Sequence, residues 1–395
     1  MNSRALGWDV HRKFSKVSLM EISADGEIRV VERARLEHDD RQAMRQWLAR
    51  VPRGTPVALE AAFGWPWIAD LLEEVGLEPH LGHPPAVKVL AQHEAKGDRC
   101  DADRLGKFQL RGILPESYLA PPEVRQRRER MRYRIALVCL QTGMKNRIQA
   151  ILHRLGVLHS FSDLFGKGGR AFLSDLELPE ASQAVLRGYL RLLDDLAEEI
   201  KQVEQWMRRN LPRDEVVRWL KTIPGIGLIL AYVIRAEIGQ IERFPGYRHL
   251  GSYGGLAPLS DDSADRHGRR HCSPACNHTL RWALIEAATG VLATKGQKAW
   301  RLRRLYARLT GGGHYNKNQA KVAVARELAK LVYLVWKKGE PYREVAPFRR
   351  GSRPARQQAN QSRREDKTTK RTLRPDQPRP PMVGRRLRTV GQTRL

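Results

Sequence analysis

Four acidic side chains in the first quarter of the chain, Asp9, Glu60, Asp98 and Asp101, have the types and spacing to hold a divalent cation. Asp9 closes the short apolar run Ala5-Leu6-Gly7-Trp8, and Glu60 ends Val57-Ala58-Leu59, so each carboxylate would stand at the end of a strand. Asp98 and Asp101 open a helical stretch three residues apart, which puts both on one helix face. Carboxylates gathered together repel one another unless a cation neutralises them, and an oxygen-only set suits Mg²⁺ or Mn²⁺. A plainer reading stands beside this one. A lone Asp at a strand end is usually a turn residue, and acids are favoured in a helix's first turn. Asp103 competes for the fourth position, but two residues from Asp101 it points to another face. Spacing alone leaves both readings open.

The elements that must position these acids are legible. Residues 5–10, about 16–22 and about 28–34 read as strands, the last two flanking the turn Ala24-Asp25-Gly26. A helix around 41–50, the strand ending at Glu60, a helix around 65–76 and a strand near 78–82 follow. A three-stranded meander before alternating helices and strands is the order a ribonuclease-H-like α/β domain would show. From about 121 the pattern becomes helical. Leu137, Leu140, Met144, Ile148, Ile151 and Leu155 form one stripe, and Tyr189, Leu193, Leu196, Ile200, Val203 and Met207 a second. Three-and-four spacing is a coiled-coil or helical-hairpin seam, open to a partner within the chain or in another copy. A third region starts at Trp219 and continues with an apolar helix from Leu228 to Ile238. A polar Gly- and Arg-rich loop then spans about 251–278, and helices at about 279–294 and 317–337 close the region.

Charge narrows the partner. The 395 residues carry a formal net charge of +28, far beyond what solubility needs, which implies a polyanion such as nucleic acid. Anionic membranes are disfavoured, because no apolar run approaches the roughly 20 residues of a spanning helix. The first residues carry no apolar signal region, and four scattered cysteines make no disulfide framework, so a reducing cytoplasmic setting is expected. After Phe348 the chain becomes low in complexity. Residues 349–395 hold about 15 Lys/Arg against about 3 Asp/Glu, roughly +12 of the total, and are expected to form a disordered nucleic-acid arm.

Three weaker constellations remain. Ile223-Pro224-Gly225-Ile226-Gly227, between helical segments, looks like a helix-hairpin-helix element whose glycines Gly225 and Gly227 let backbone N–H groups approach a phosphate; a tight turn explains it nearly as well. Cys272 and Cys276, near His267, His271 and His278, invite zinc but lack a second ligand pair at the usual distance. Ser260, Ser263 and Ser273 lie beside Arg266, Arg269 and Arg270, which could hold a phosphate. A hydroxyl attacks only with a base or metal to take up its proton, and nothing local selects one serine.

Taken in order, these segments resemble the DEDD-type insertion-sequence transposases over about residues 4–345. Gly7-Trp8-Asp9-Val10 resembles that family's first-strand Gly-x-Asp-Val, Leu59-Glu60-Ala61 its Glu-Ala motif, and Lys96-Gly97-Asp98-Arg99-Cys100-Asp101-Ala102 its Lys-Thr-Asp-x-x-Asp-Ala. Ile223–Gly227 matches Ile-Pro-Gly-Ile-Gly, and Gly255-Leu256-Ala257-Pro258 the Gly-Leu-x-Pro that introduces a serine loop. The resemblance implies an α/β-plus-all-α chain. Its parts would be a RuvC-like (RNase H fold) domain over 1–117, a helical coiled-coil segment over 118–217, a serine-bearing transposase domain over 218–346 and a disordered basic tail over 347–395. It implies Asp9, Glu60, Asp98 and Asp101 as Mg²⁺ (or Mn²⁺) ligands and Ser263 as nucleophile, although Ala264 replaces the usual following Gly. Gly97 replaces the usual Thr, and Cys276-Asn277 stands for Gly-Asn. It also implies nucleic-acid contacts at Lys96, Arg99, Gly225, Gly227, Arg266, Arg269 and Arg270. The expected partners are donor and target DNA and a bridge RNA, with the protein a homodimer or tetramer on DNA. A hydrolytic junction-resolving nuclease and a non-catalytic nucleic-acid-binding protein are the alternatives.

Overall fold

The computed structural model describes residues 4–91, 101–259, 271–273, 275–294, 299–312 and 315–344. Asp98, Lys96, Arg99, Ser260, Ser263, Arg266, His267, Arg269, Arg270 and the basic tail lie outside the described residues.

The expected meander is present as β1 (Arg4–Val10), β2 (Phe14–Ile22) and β3 (Ile28–Glu37), antiparallel throughout. Gly26 takes φ +86° in the β2–β3 turn, a conformation open to glycine at no steric cost. Then come α1 (Arg41–Leu48), β4 (Pro56–Glu60), α2 (Trp65–Glu74), β5 (Glu78–Gly82), α3 (Pro84–Ala91) and α4 (Asp101–Leu110). The sheet order is β3-β2-β1-β4-β5, with β1, β4 and β5 mutually parallel. Alternation sorts the two faces. Leu6, Trp8, Val57 and Leu59 point to one side and are fully buried with Met44 and Leu48 of α1 and Ile68 and Leu72 of α2. Ala58, on the other side, packs with Val87, Leu105 and Phe108 of α3 and α4.

α4 lies on β1 at backbone contact. A Cβ added at Gly7 would fall 1.8 Å from the Ala102 carbonyl oxygen, and one at Gly106 would meet Met20 Sδ at 2.7 Å. A bidentate pair from Arg33 of β3 to the buried Asp103 (3.1 and 2.6 Å) holds the helix across the sheet.

Beyond the sheet, α5 (Pro122–Arg154), α6 (Lys167–Asp175) and α7 (Glu180–Asn210) form a long hairpin. The two predicted stripes meet within the chain: Met144 and Ile148 of the first and Tyr189 and Leu193 of the second share a core with Leu152, Leu164, Leu173 and Leu186. Leu140, assigned to the seam, is instead 51% exposed. The remaining helices are α8 (Glu215–Leu220), α9 (Leu228–Ile238), α10 (Tyr247–Tyr253), α11 (His278–Ala293), α12 (Trp300–Gly311) and α13 (Lys317–Lys338), with a two-stranded ribbon of β6 (Pro258–Leu259) and β7 (His271–Cys272). Two expectations need correction. Residues 247–253 are helical where a polar loop was expected to begin at 251, and α12 was not anticipated. α9 is buried on most sides and centres a core shared by α8, α10, α11, α12 and α13, reached by Met131 of α5 and Val203 and Met207 of α7. No described helix is long and apolar enough to cross a membrane.

Two glycine substitutions should act in opposite directions. Gly7→Ala drives a methyl into the α4 backbone and should destabilise by about 1–3 kcal/mol or more. Gly143→Ala, inside α5 with nothing within 4 Å of the new Cβ, should stabilise by about 1 kcal/mol through helix propensity. Urea denaturation checks both, and stabilisation by Gly7→Ala would contradict the packing described.

Candidate active site

Asp9 and Glu60 are neighbours by register. β1 and β4 pair in parallel as Leu6↔Val57, Gly7↔Ala58 and Trp8↔Leu59, so the next step sets Asp9 beside Glu60 at the carboxyl ends of both strands. Alternation places Asp9 on the Gly7 face and Glu60 on the Ala58 face, the side covered by α4. Asp101 is the first residue of α4, which rests on β1 at Gly7.

The charge of Asp101 reaches both Asp9 and Glu60. Burial raises the pKa of Asp9; Asp101 raises it further, while His11 and Lys16 oppose the shift. Burial also raises that of Glu60, followed by repulsion from Asp101 and then Asp9. His11 Nε2 stands 3.0 Å from Asp9 Oδ2, and Arg104 Nη1 pairs with the exposed Asp101 at 2.9 Å. Glu60, Asp101, Pro84, Pro85, Lys88 and Arg104 line a cleft of about 460 Å³. Asp103 is excluded from it. Its side chain is committed to Arg33, and that hydrogen bonding outweighs the upward push of burial and holds its pKa below the ordinary value.

Do these residues fit a divalent cation? Among the described residues no three Asp, Glu, His or Cys side chains are grouped tightly enough to hold an ion unaided. Mg²⁺ does not require this, because it commonly binds through one or two carboxylates with waters and substrate phosphate completing the shell. Partly buried acids that repel each other while keeping an open cleft suit such an ion. Zinc finds less support. Cys276 Sγ is 3.9 Å from His278 Nδ1, and a Cβ at Gly255 would meet that sulfur at 2.5 Å, so the thiol packs into a turn.

In the C-terminal helices the Pro-Gly-Ile-Gly turn joins α8 to α9. Gly225 takes φ +82° and presses on α11, where a Cβ would lie 2.2 Å from the Ala287 carbonyl oxygen. Gly225 is therefore turned to protein, whereas Gly227 is exposed at the start of α9. Sequence reasoning missed the polar centre of this region. Glu237 is fully buried in α9 and receives Arg132 of α5 through two 2.8 Å hydrogen bonds and Asn277 Nδ2 at 2.8 Å. Arg128 donates to the Ala236 and Glu237 carbonyls. Asn277 also caps α11, accepting from Leu280 N, and donates to the Tyr253 hydroxyl. A lone Glu within Leu-Ile-Leu-Ala-Tyr-Val-Ile-Arg-Ala-Glu-Ile was the available signal.

The order of these parts matches known proteins. Residues 6–156 match the DEDD transposase model of the IS110 group, and residues 217–306 match that of the transposase IS116/IS110/IS902 family. This chain belongs to the DEDD-type insertion-sequence transposase family. It is 24% identical to the transposase for insertion sequence element IS1328 of Yersinia enterocolitica, over 74% of this chain and 87% of that protein. It is 25% identical to the transposase for insertion sequence element IS1111A of Coxiella burnetii, over 68% and 74%. A probable family 20 transposase of Pseudomonas aeruginosa is 24% identical over 87% of this chain and 99% of its own length. Within this transposase chain the first matched segment holds Asp9, Glu60 and Asp101. The second holds the Gly225 turn and the Glu237–Asn277 network.

The raised pKa values carry a sign. A carboxylate whose folded pKa lies above its unfolded value costs stability while ionised, and the cost fades as pH falls through the folded pKa. Asp9→Asn should therefore raise the melting temperature of metal-free protein at pH 7, with the difference shrinking on acidification. Mn²⁺ should stabilise the native protein and should do so less for Asp9→Asn. Thermal melts at several pH values check this; an equal Mn²⁺ response in both proteins would contradict it. Glu237→Ala removes the carboxylate that Arg132 and Asn277 share and should cost about 1–3 kcal/mol, as the loss of hydrogen-bond partners to a part-buried polar group does.

Proposed function

We propose that this transposase cuts and rejoins DNA strands through a divalent-ion site on its N-terminal sheet and a serine supplied from its C-terminal region. The placement of Asp9 and Glu60 at the carboxyl ends of the central strands β1 and β4, with the charge of Asp101 felt by both, carries this reading. The residues proposed to hold Mg²⁺ or Mn²⁺ are Asp9, Glu60, Asp98 and Asp101. An ion held there would supply positive charge against the phosphorane-like transition state.

The chain's own groups do the rest. Lys88 and Arg104, lining the cleft with Glu60, give the strand's phosphates opposite charge. The Ser263 hydroxyl attacks the scissile phosphorus. Its O–P bond forms as the P–O bond to the departing deoxyribose breaks, and the serine proton is released as the departing oxygen takes one up. The resulting phosphoserine diester conserves the bond for religation, when a strand hydroxyl attacks phosphorus and the serine leaves. Arg266, Arg269 and Arg270 are proposed to hold phosphates near that serine, with Lys96, Arg99 and Gly227 adding backbone contacts. Gly225 is assigned to packing.

The coarser supports are the family membership, whose named relatives are transposases, and the charge of +28, which suits a polyanion. The finer reading has base pairing by a bridge RNA select donor and target DNA while the protein contacts backbone and shape. The sheet, the helical hairpin and the C-terminal helices would then be the RuvC-like (1–117), linking (118–217) and serine-bearing (218–346) parts of a homodimer or tetramer, with residues 347–395 a basic arm.

The test uses a nicked suicide DNA substrate with the element's own ends. The native protein should be trapped as a covalent protein–DNA adduct. Ser263→Ala should yield no adduct, and Asp9→Asn no cleavage. Normal recombination by Ser263→Ala would overturn the serine assignment.

A further inference from the structure

The loop from β4 to α2 is four residues long, and one of them has no role inside the protein. Phe63 is 88% exposed, whereas the other exposed aromatic side chains among the described residues, Tyr133, Phe161, Tyr247 and Trp282, are 37–45% exposed. Single exposed apolar residues are common and need no explanation by themselves. Here the place and the rigidity supply one.

Phe63 follows Glu60 by three residues, which span at most about 11 Å, or about three nucleotide steps of 3.4 Å along one strand. The backbone around it is pinned. Ala61 N donates to the Gly82 carbonyl at 3.0 Å and Ala62 N to the Glu60 carbonyl at 2.7 Å. Gly64, at φ +87°, turns the chain directly into α2. The ring is thus presented by a short, fixed turn at the carboxyl ends of the parallel strands. Lys88 and Arg104 line the cleft that Glu60 enters, so cations for a phosphate chain stand at the residue three positions before the ring.

We propose that Phe63 is a stacking platform for an unpaired base of the DNA strand held at Asp9 and Glu60. Cations that track a backbone, with an aromatic face for a base, make up the recognition mode of single-stranded nucleic acid. Strand exchange must unpair bases next to the cut, and an exposed ring there stabilises one in its unstacked position. This assignment rests on the active-site reading above.

The test measures binding of the full chain, without divalent ions, to two DNA probes. One is a 30-mer duplex carrying a single unpaired 2-aminopurine; the other is its fully paired counterpart. The native chain should prefer the unpaired probe by about tenfold, within the range of one base–aromatic stack, and should quench the 2-aminopurine. Phe63→Ala should lose both the preference and the quenching, and Phe63→Trp should retain them. Because the ring is exposed, these substitutions leave the core intact. An unchanged preference in Phe63→Ala overturns the proposal. So does a fall in oligomer mass in that variant with the preference unaltered, which would make Phe63 a protein contact. Cleavage surviving in Asp9→Asn would sink the active-site reading, whatever the probes report.

Discussion

The backbone contact between α4 and β1 is the constraint on which the site depends. Where Gly7 stands, any other residue would put a Cβ into the Ala102 carbonyl, so the helix can lie against the strand only because that side chain is missing. The contact sets Asp101 over the strand end that carries Asp9. The Arg33–Asp103 pair then fixes the helix's rotation. At 3.6 residues per turn, Asp101 and Asp103 are about 200° apart, so anchoring Asp103 toward β3 turns Asp101 away from it. One acid serves the fold and the other stays open to the cleft. The Gly-x-Asp spacing thus has a mechanical meaning: glycine admits the helix, and the aspartate two residues on shares the glycine's face.

A second buried arrangement gives the C-terminal helices their order. Glu237 sits at zero exposure with a guanidinium and an amide satisfying its oxygens. Through it α5 is tied to α9, and α9 to the first turn of α11. A buried charge tolerates few alternative packings, because every misplaced partner leaves it unpaired. Asn277 shares this work, capping α11 with its oxygen and serving Glu237 with its nitrogen. The chain enters α11 there from residues 275–276, so the same asparagine sets where the preceding segment ends.

Much of the N-terminal half was legible because its signals are local. Asp9 and Glu60 each close an apolar run short enough to be a strand, and the turn at Gly26 marks the hairpin without reference to anything distant. Strand order was not legible, and neither was the reason for Gly7, since both depend on which helix returns to which strand. The stripes in α5 and α7 were visible as stripes, but spacing could not say that they would meet each other. α12 was overlooked although Leu302, Leu305, Tyr306 and Leu309 fall at i, i+3, i+4 and i+7; four arginines over 301–308 and the preceding Gly and Lys masked that face. Glu237 was invisible for a different reason. A single acid in an apolar helix gains its meaning from Arg132, 105 residues away. Asp98 and Ser263 lie outside the described residues; Asp98 rests on its spacing to Asp101 and on the family pattern, Ser263 on the family pattern alone.

The central claim is that carboxylates from two strand ends and one helix start share a single cation. Anomalous diffraction from crystals grown with Mn²⁺ tests it most directly. The account predicts a peak beside both Asp9 and Glu60, with carboxylate oxygens at about 2.1 Å. A peak elsewhere, or Asp9 and Asp101 separated by more than about 10 Å in that crystal, beyond what ligand distances of this length can bridge, would contradict it.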